Sequence, residues 1–205
     1  DKSTVHFDMN DDGHADRTAW VGPEDGILVI DLDGDKNITD KSEFVFTDHA
    51  PEASTDMEAL QTAFDTDGDK YLTPDDARWK EFGIWQDADS DGKTDEGEFK
   101  SLDDMGVLSI SLTNDGESIS PAHGIFLFGT SSVQFADGHK ASAGDAAFSY
   151  ISSDADIDNA ELSDRFTISP KESFNDMISG STTQANELEP LNQITSESHN
   201  DSSIL

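Results

Sequence analysis

Residues 85–99 read WQDADSDGKTDEGEF, with six acidic side chains in fifteen positions. Like charges held that close repel one another, so a fold that contains this run needs a multivalent cation among them. The spacing says which cation. Asp87, Asp89 and Asp91 alternate, Gly92 follows them, and Glu98 stands at the twelfth place. This is the D-x-[DN]-x-[DN]-G-x5-E pattern of a twelve-residue calcium loop. Alternate residues turn their carboxylates inward, and Gly92 takes the sharp turn. Lys93 offers its backbone carbonyl, Asp95 reaches the ion directly or through water, and Glu98 closes with two oxygens. An all-oxygen cage suits calcium, whereas transition metals prefer nitrogen or sulfur.

Three related runs lie upstream. FDMNDDGHADRTAW supplies Asp8, Asn10, Asp12, the carbonyl place at His14, and Asp16, with no acid at the twelfth position. IDLDGDKNITDKSEF supplies Asp31, Asp33, Asp35, the carbonyl place at Asn37, and Thr39, with Glu43 one residue later than an EF-hand puts it. FDTDGDKYLTPDDARW supplies Asp65, Asp67, Asp69, the carbonyl place at Tyr71, and Thr73, with Asp76 at position twelve. Lys36 and Lys70 occupy the sixth place, where glycine is usual, and a lysine there carries left-handed backbone strain. Those two sites are therefore expected to be distorted, weaker, or completed by ligands from elsewhere. The bland alternative for each upstream run is an Asx-rich turn.

The chain has 205 residues, 12 of them basic and 45 acidic, for a net charge of -33. That balance excludes ordinary nucleic-acid binding, which needs a basic stripe. It also argues against docking on an anionic membrane, and no apolar run approaches the length of a membrane span. There is no cysteine, so calcium takes the part that disulfides play in small extracellular domains. Several calcium sites favour a location outside the cell, where weak sites suffice. The sequence starts at Asp1 without a signal peptide, and it reads as a monomeric module of a much longer chain.

The periodicity predicts a β-rich α+β fold: an antiparallel sheet or sandwich with short helices and several EF-hand-like calcium loops. Residues 19–31 read as strand, Gly-Pro turn, strand. Helices are expected at STDMEALQTAF, capped by Ser54 or Thr55, at TPDDARWKEF, and leaving the fourth loop through Phe99 and Leu102. FGIWQ is β-prone and too short for an amphipathic helix, so the fourth loop is expected between a strand and a helix. From Val107 the period is two: GVLSISLT, HGIFLFGT, then two strands around Asp137-Gly138. Trp20, Trp79 and Trp85 are expected in the core. Residues 1–166 read as a calcium-stabilised ligand-binding domain. Residues 167–205 read as an extension, a short helix over SPKESFNDMISG and then a Ser-, Thr- and Asn-rich linker-like tail.

In order and spacing, the loops and the residues joining them, with FADGHKASAGDAAF further on, resemble a module of large secreted RTX proteins. Within that group the chain is similar to the calcium-dependent peptide-binding domain of giant RTX adhesins, ice-binding adhesins among them. The resemblance covers about residues 5 to 150. It implies a secreted, surface-anchored adhesion protein whose module grips the C-terminal end of a peptide or protein on another cell. A bound calcium would meet the ligand's terminal carboxylate. A second branch of the superfamily resembles RTX self-processing modules, which cleave an Asp-Pro bond in the presence of calcium. This chain contains no Asp-Pro dipeptide.

No enzyme is expected on other grounds. His6, His14, His49, His123, His139 and His199 show no metal or triad spacing, and G-x-S-x-G does not occur. A calcium-rigidified spacer remains as a third class, but spacers usually repeat with a fixed period and these loops are varied.

Overall fold

Strands here are short wherever an acidic loop interrupts them and long only after the last loop. The computed structural model describes residues 3–122, 124–152 and 167–168. The elements are β1 (His6–Phe7), β2 (Asp16–Thr18), β3 (Ile27–Ile30), α1 (Asp56–Ala63), β4 (Tyr71–Leu72), β5 (Phe82–Trp85), β6 (Phe99–Ser101), β7 (Val107–Ser111), β8 (Ile119–Ala122), β9 (Ile125–Phe135), β10 (Lys140–Ile151) and β11 (Thr167–Ile168). Three short 3-10 turns cover Lys41–Glu43, Phe46–Asp48 and Trp79–Glu81. The fold is β-rich, with antiparallel sheets and few short helices.

Two sheets form. The larger runs β1-β2-β10-β9-β7-β4, with β11 beside β10 and β8 beside β9; the smaller runs β3-β5-β6. β3 is apolar at all of its positions because both of its faces are covered. Leu28 and Ile30 pack into one core with Phe46, Leu60, Phe64, Trp79 and Phe82. Ile27 and Val29 point the other way, into a second core with Phe7, Trp20, Phe44 and Trp85. Strand period two thus divides one small sheet between two cores. Trp20 and Trp85 meet edge to face at 5.4 Å, and Phe7 meets Phe44 likewise at 5.0 Å. All three tryptophans are core residues.

The helix over 56–63 forms as its sequence signals. Thr55 caps it, accepting from the Glu58 N–H at 3.3 Å, while the Glu58 carboxylate accepts from the Ser54 N–H at 2.8 Å. Met57, Leu60 and Phe64 turn to the core. The other two expected helices do not form. After Thr73 the cap is made, since the Thr73 hydroxyl accepts from the Asp75 N–H at 3.2 Å. Asp76 is held to the loop, however, its Oδ1 accepting from the Thr66 N–H at 2.7 Å, and the chain continues as turns into Trp79–Glu81 and then β5. Residues 99–101 are a strand because β6 pairs with β5, Trp85 opposite Phe99. The fourth loop therefore lies between two strands rather than between a strand and a helix.

Residues 19–21 also depart from the expectation, because the first strand of that pair ends at Thr18. β7 is shorter than GVLSISLT, the segments IFLFGT and SSVQF, expected as separate strands, run together as β9, and β8 had no counterpart in the expectation. β9 and β10 form a hairpin over the Asp137-Gly138 turn, where Gly138 has φ +90°. Its register shifts between Asp145 and Ala146. The helix expected over 169–180 and the tail 181–205 lie outside the described residues, as does His123.

Candidate metal centres

Four segments far apart in sequence fold into the same short loop. In each, the N–H of the sixth residue donates to the carboxylate of the first: Gly13 to Asp8 at 2.9 Å, Lys36 to Asp31 at 3.1 Å, Lys70 to Asp65 at 2.9 Å and Gly92 to Asp87 at 2.9 Å. In each, the N–H of the seventh donates to the carboxylate of the fifth: His14 to Asp12, Asn37 to Asp35, Tyr71 to Asp69 and Lys93 to Asp91, at 2.7–2.8 Å. The turn that makes this possible requires positive φ at both the fourth and the sixth position. Each loop spends a single glycine on the pair. Loops one and four place it sixth, as Gly13 and Gly92, with Asp11 and Ser90 left-handed at the fourth place. Loops two and three place it fourth, as Gly34 and Gly68, and leave Lys36 (φ +62°) and Lys70 (φ +69°) at the sixth. The expectation that the lysines distort their loops is therefore corrected. Both do sit in the left-handed region, but the bonding pattern of the turn is intact, and loops one and four accept the same strain at their fourth residue.

The closing acids differ more. Glu43, one place late by sequence, is drawn in by a 3-10 turn. Its Oε2 accepts from the N–H groups of Thr39 at 2.9 Å and Asp40 at 3.2 Å, and its Oε1 from Leu32 at 3.3 Å. Asp76 is equally enclosed, with Oδ1 accepting from the Thr66 N–H at 2.7 Å and Oδ2 from Thr73. Glu98 accepts from the Ala88 and Asp95 N–H groups at 2.8 and 3.0 Å. Carboxylate oxygens converge within 4.8 Å in four groups: Asp31, Asp33 and Glu43; Asp65, Asp67 and Asp76; Asp87, Asp89 and Glu98; and Asp89, Asp91 and Asp95. Loops two, three and four could each hold a metal ion. Their donors are all oxygens, which fits a hard cation. The first loop shares the bonding pattern but is not among those groups, and Asp16 lies on β2, fully buried.

The charge of such a site is visible in its titration. Asp89 is pushed above the usual carboxylate range by desolvation, and then by the charges of Asp91, Glu98 and Asp87. A cation in the loop would relieve that repulsion. The loops are also tied together: the Ile38 N–H of loop two donates to the Thr94 hydroxyl of loop four at 2.9 Å. Spacing rules gave no sign of this bond, which joins positions 56 residues apart. They also missed Asp56 and Asp145, a second carboxylate pair away from every loop.

Oxygen-rich loops, two of them set between paired antiparallel strands, define a β-rich module able to hold several metal ions. The chain belongs to the SPM domain family, whose model matches residues 1–149. It is similar to the iron-regulated protein FrpA of Neisseria meningitidis serogroup C, with 29% identity over 143 residues. That alignment covers 68% of this chain but 13% of FrpA, so the chain spans a small part of that relative's length. Among the described residues, no helix is long and apolar enough to cross a membrane.

Proposed function

We propose that the chain is a calcium-loaded, non-enzymatic recognition module of a secreted, surface-anchored RTX-type adhesin. It takes the C-terminal end of a peptide or protein on another cell, and one of its calcium ions meets the ligand's terminal carboxylate. The observation that carries this reading is the first loop. It repeats the turn of the other three, with Asp8 and Asp12 bonded as their counterparts are, but it has no closing carboxylate. Calcium takes six to eight oxygens, so an ion held there keeps places for oxygens from outside the chain. A free carboxylate approaching a surface of net charge -33 is repelled at long range. Direct contact with a metal ion is what makes the approach favourable.

Calorimetry on peptides with free and amidated C-termini tests the reading. A binding peptide should lose at least tenfold in affinity for the calcium-loaded chain when amidated, and should lose all binding in chelator. Equal affinity of the two forms would remove the carboxylate from the mechanism.

The family match favours a second reading, a self-processing module that cuts an Asp-Pro bond when calcium is present. The chain holds no Asp-Pro bond, so the test joins one to it: a fusion with an added peptide that carries an Asp-Pro bond, incubated with calcium for a day, should keep its mass. A calcium-triggered fragment would establish the second reading instead.

A further inference from the structure

Loop one is tied to loop two by a lysine. Lys41 lies in the 3-10 turn that also carries Glu43, the closing acid of loop two. That turn is held at both ends. The Asp40 carboxylate accepts from the Ser42 N–H at 2.8 Å, and the Asp40 N–H donates to Glu43 Oε2 at 3.2 Å. The Lys41 carbonyl accepts from the N–H groups of Phe44 at 3.0 Å and Val45 at 2.7 Å. Where Glu43 is held therefore decides where the Lys41 backbone sits.

From that turn the side chain reaches loop one. Lys41 Nζ donates to Asp48 Oδ2 at 2.8 Å and lies 3.1 Å from Asp11 Oδ2. The lysine side chain is 16% exposed and that of Asp11 56%, so water and salt screen the pair less than one lying wholly on the surface. Burial pulls the Lys41 pKa down, but the carboxylates of Asp48 and Asp11 outweigh it and leave it raised, with the ammonium charged. Asp11 is the fourth residue of loop one and is left-handed, with φ +59°. Loops two and three give that place to Gly34 and Gly68. A residue with a side chain resists this conformation, so an anchor on Asp11 bears directly on whether the turn of loop one holds.

We propose that the closing of loop two sets loop one, through Lys41. With an ion in loop two, Glu43 is fixed, the 3-10 turn is fixed with it, and the ammonium stays where it holds Asp11 in its left-handed form. Without that ion the carboxylates of Asp31, Asp33 and Glu43 repel one another, the turn loosens, and Asp11 loses its anchor. Lys41 is a positioning residue, acting on loop one through Asp11. The inference requires an ion in loop two. It rests on the peptide-binding reading only for its consequence: the place offered to a ligand's carboxylate at loop one is complete only after loop two has filled.

Amide hydrogen exchange on the full chain in calcium tests it, with bound calcium counted by equilibrium dialysis. Asp33→Asn combined with Glu43→Gln removes two charges from loop two, while the amide oxygens still accept the N–H bonds of the turn. This variant should bind one ion fewer. Exchange at the Gly13 and His14 N–H groups should quicken about tenfold, within the range of couplings between residues that share a network. Lys70 and Tyr71, the same two places in loop three, should keep their rates. Lys41→Met should quicken Gly13 and His14 with loop two intact, and adding it to the loop-two variant should bring no further change. Lys41→Arg, which keeps the charge, should restore the slow rates. If the loop-two variant fails to fold by circular dichroism, Lys41→Met decides, by whether loop one alone quickens. Equal acceleration in loops one and three, none in loop one, or an effect of the loop-two variant that is the same with and without Lys41 overturns the inference. So does an unchanged calcium count, which would mean that loop two holds no ion. None of these results bears on the amidated-peptide experiment, so the two readings fail separately.

Discussion

Excess chelator is expected to abolish the cooperative melting transition of this protein, or to lower it by tens of degrees. An ion that binds only the folded state, held at a hundred times its dissociation constant, adds about 2.7 kcal/mol. Three such sites, one for each loop whose carboxylates converge, would add about 8 kcal/mol. The whole stability of an ordinary domain is about 5 to 15 kcal/mol. Removing the ions also exposes the charge. The carboxylate oxygens of Asp31, Asp33 and Glu43 converge within 4.8 Å, and so do those of Asp65, Asp67 and Asp76. There is no disulfide to hold the chain in their place. Differential scanning calorimetry with and without chelator, repeated with calcium added back, is the measurement. A melting curve that does not move would mean that the loops are Asx turns and nothing more.

Replacing Gly92 with alanine should destabilise the calcium-loaded protein by about 3 kcal/mol or more, whereas Gly68→Ala should cost only about 1 kcal/mol. Both glycines are left-handed, with φ +77° and +79°. The strain of the new side chain is therefore common to both variants. The surroundings differ. A methyl group at position 68 meets nothing within 4 Å, while one at position 92 comes 2.8 Å from the His6 carbonyl oxygen and 2.8 Å from Val5 Cγ1. His6 cannot readily retreat, because β1 is paired to β2 with His6 opposite Arg17. The fourth loop is thus pressed against the first strand of the larger sheet. Urea melts of the two variants in calcium give the comparison, and equal losses would show that the clash is relieved at no cost.

The loops were legible because their chemistry is local. A carboxylate at every second residue and a turn between them can be read within a dozen positions, and the bonding of Asp87 to Gly92 follows from that spacing alone. So can the period of β7 and the cap on α1. Where the reading failed, a distant partner had decided the outcome. Phe99–Ser101 has no strong strand signal, but β5 offers it an edge. Residues 74–81 carry a helix cap and a helix-like pattern, but Asp76 is needed inward, against Thr66 and Thr73. Lys36 and Lys70 are left-handed as the sixth place implied, but that place alone gave no sign that each loop carries its glycine at the fourth and keeps the bonding of the turn. Asp56 and Asp145 come together only when β10 crosses the start of α1, and no window along the chain contains both.

The bond from the Ile38 N–H to the Thr94 hydroxyl makes loops two and four halves of one thermodynamic object. Settling either loop around an ion fixes one end of that bond and removes part of the freedom the other loop has to lose. Linkage is symmetrical: whatever factor the first ion adds to the second ion's affinity, the second returns to the first. Calcium bound in both loops would fill them over a narrower range of its concentration than it would two isolated ones. The module would then answer a change in its surroundings more abruptly than any single loop.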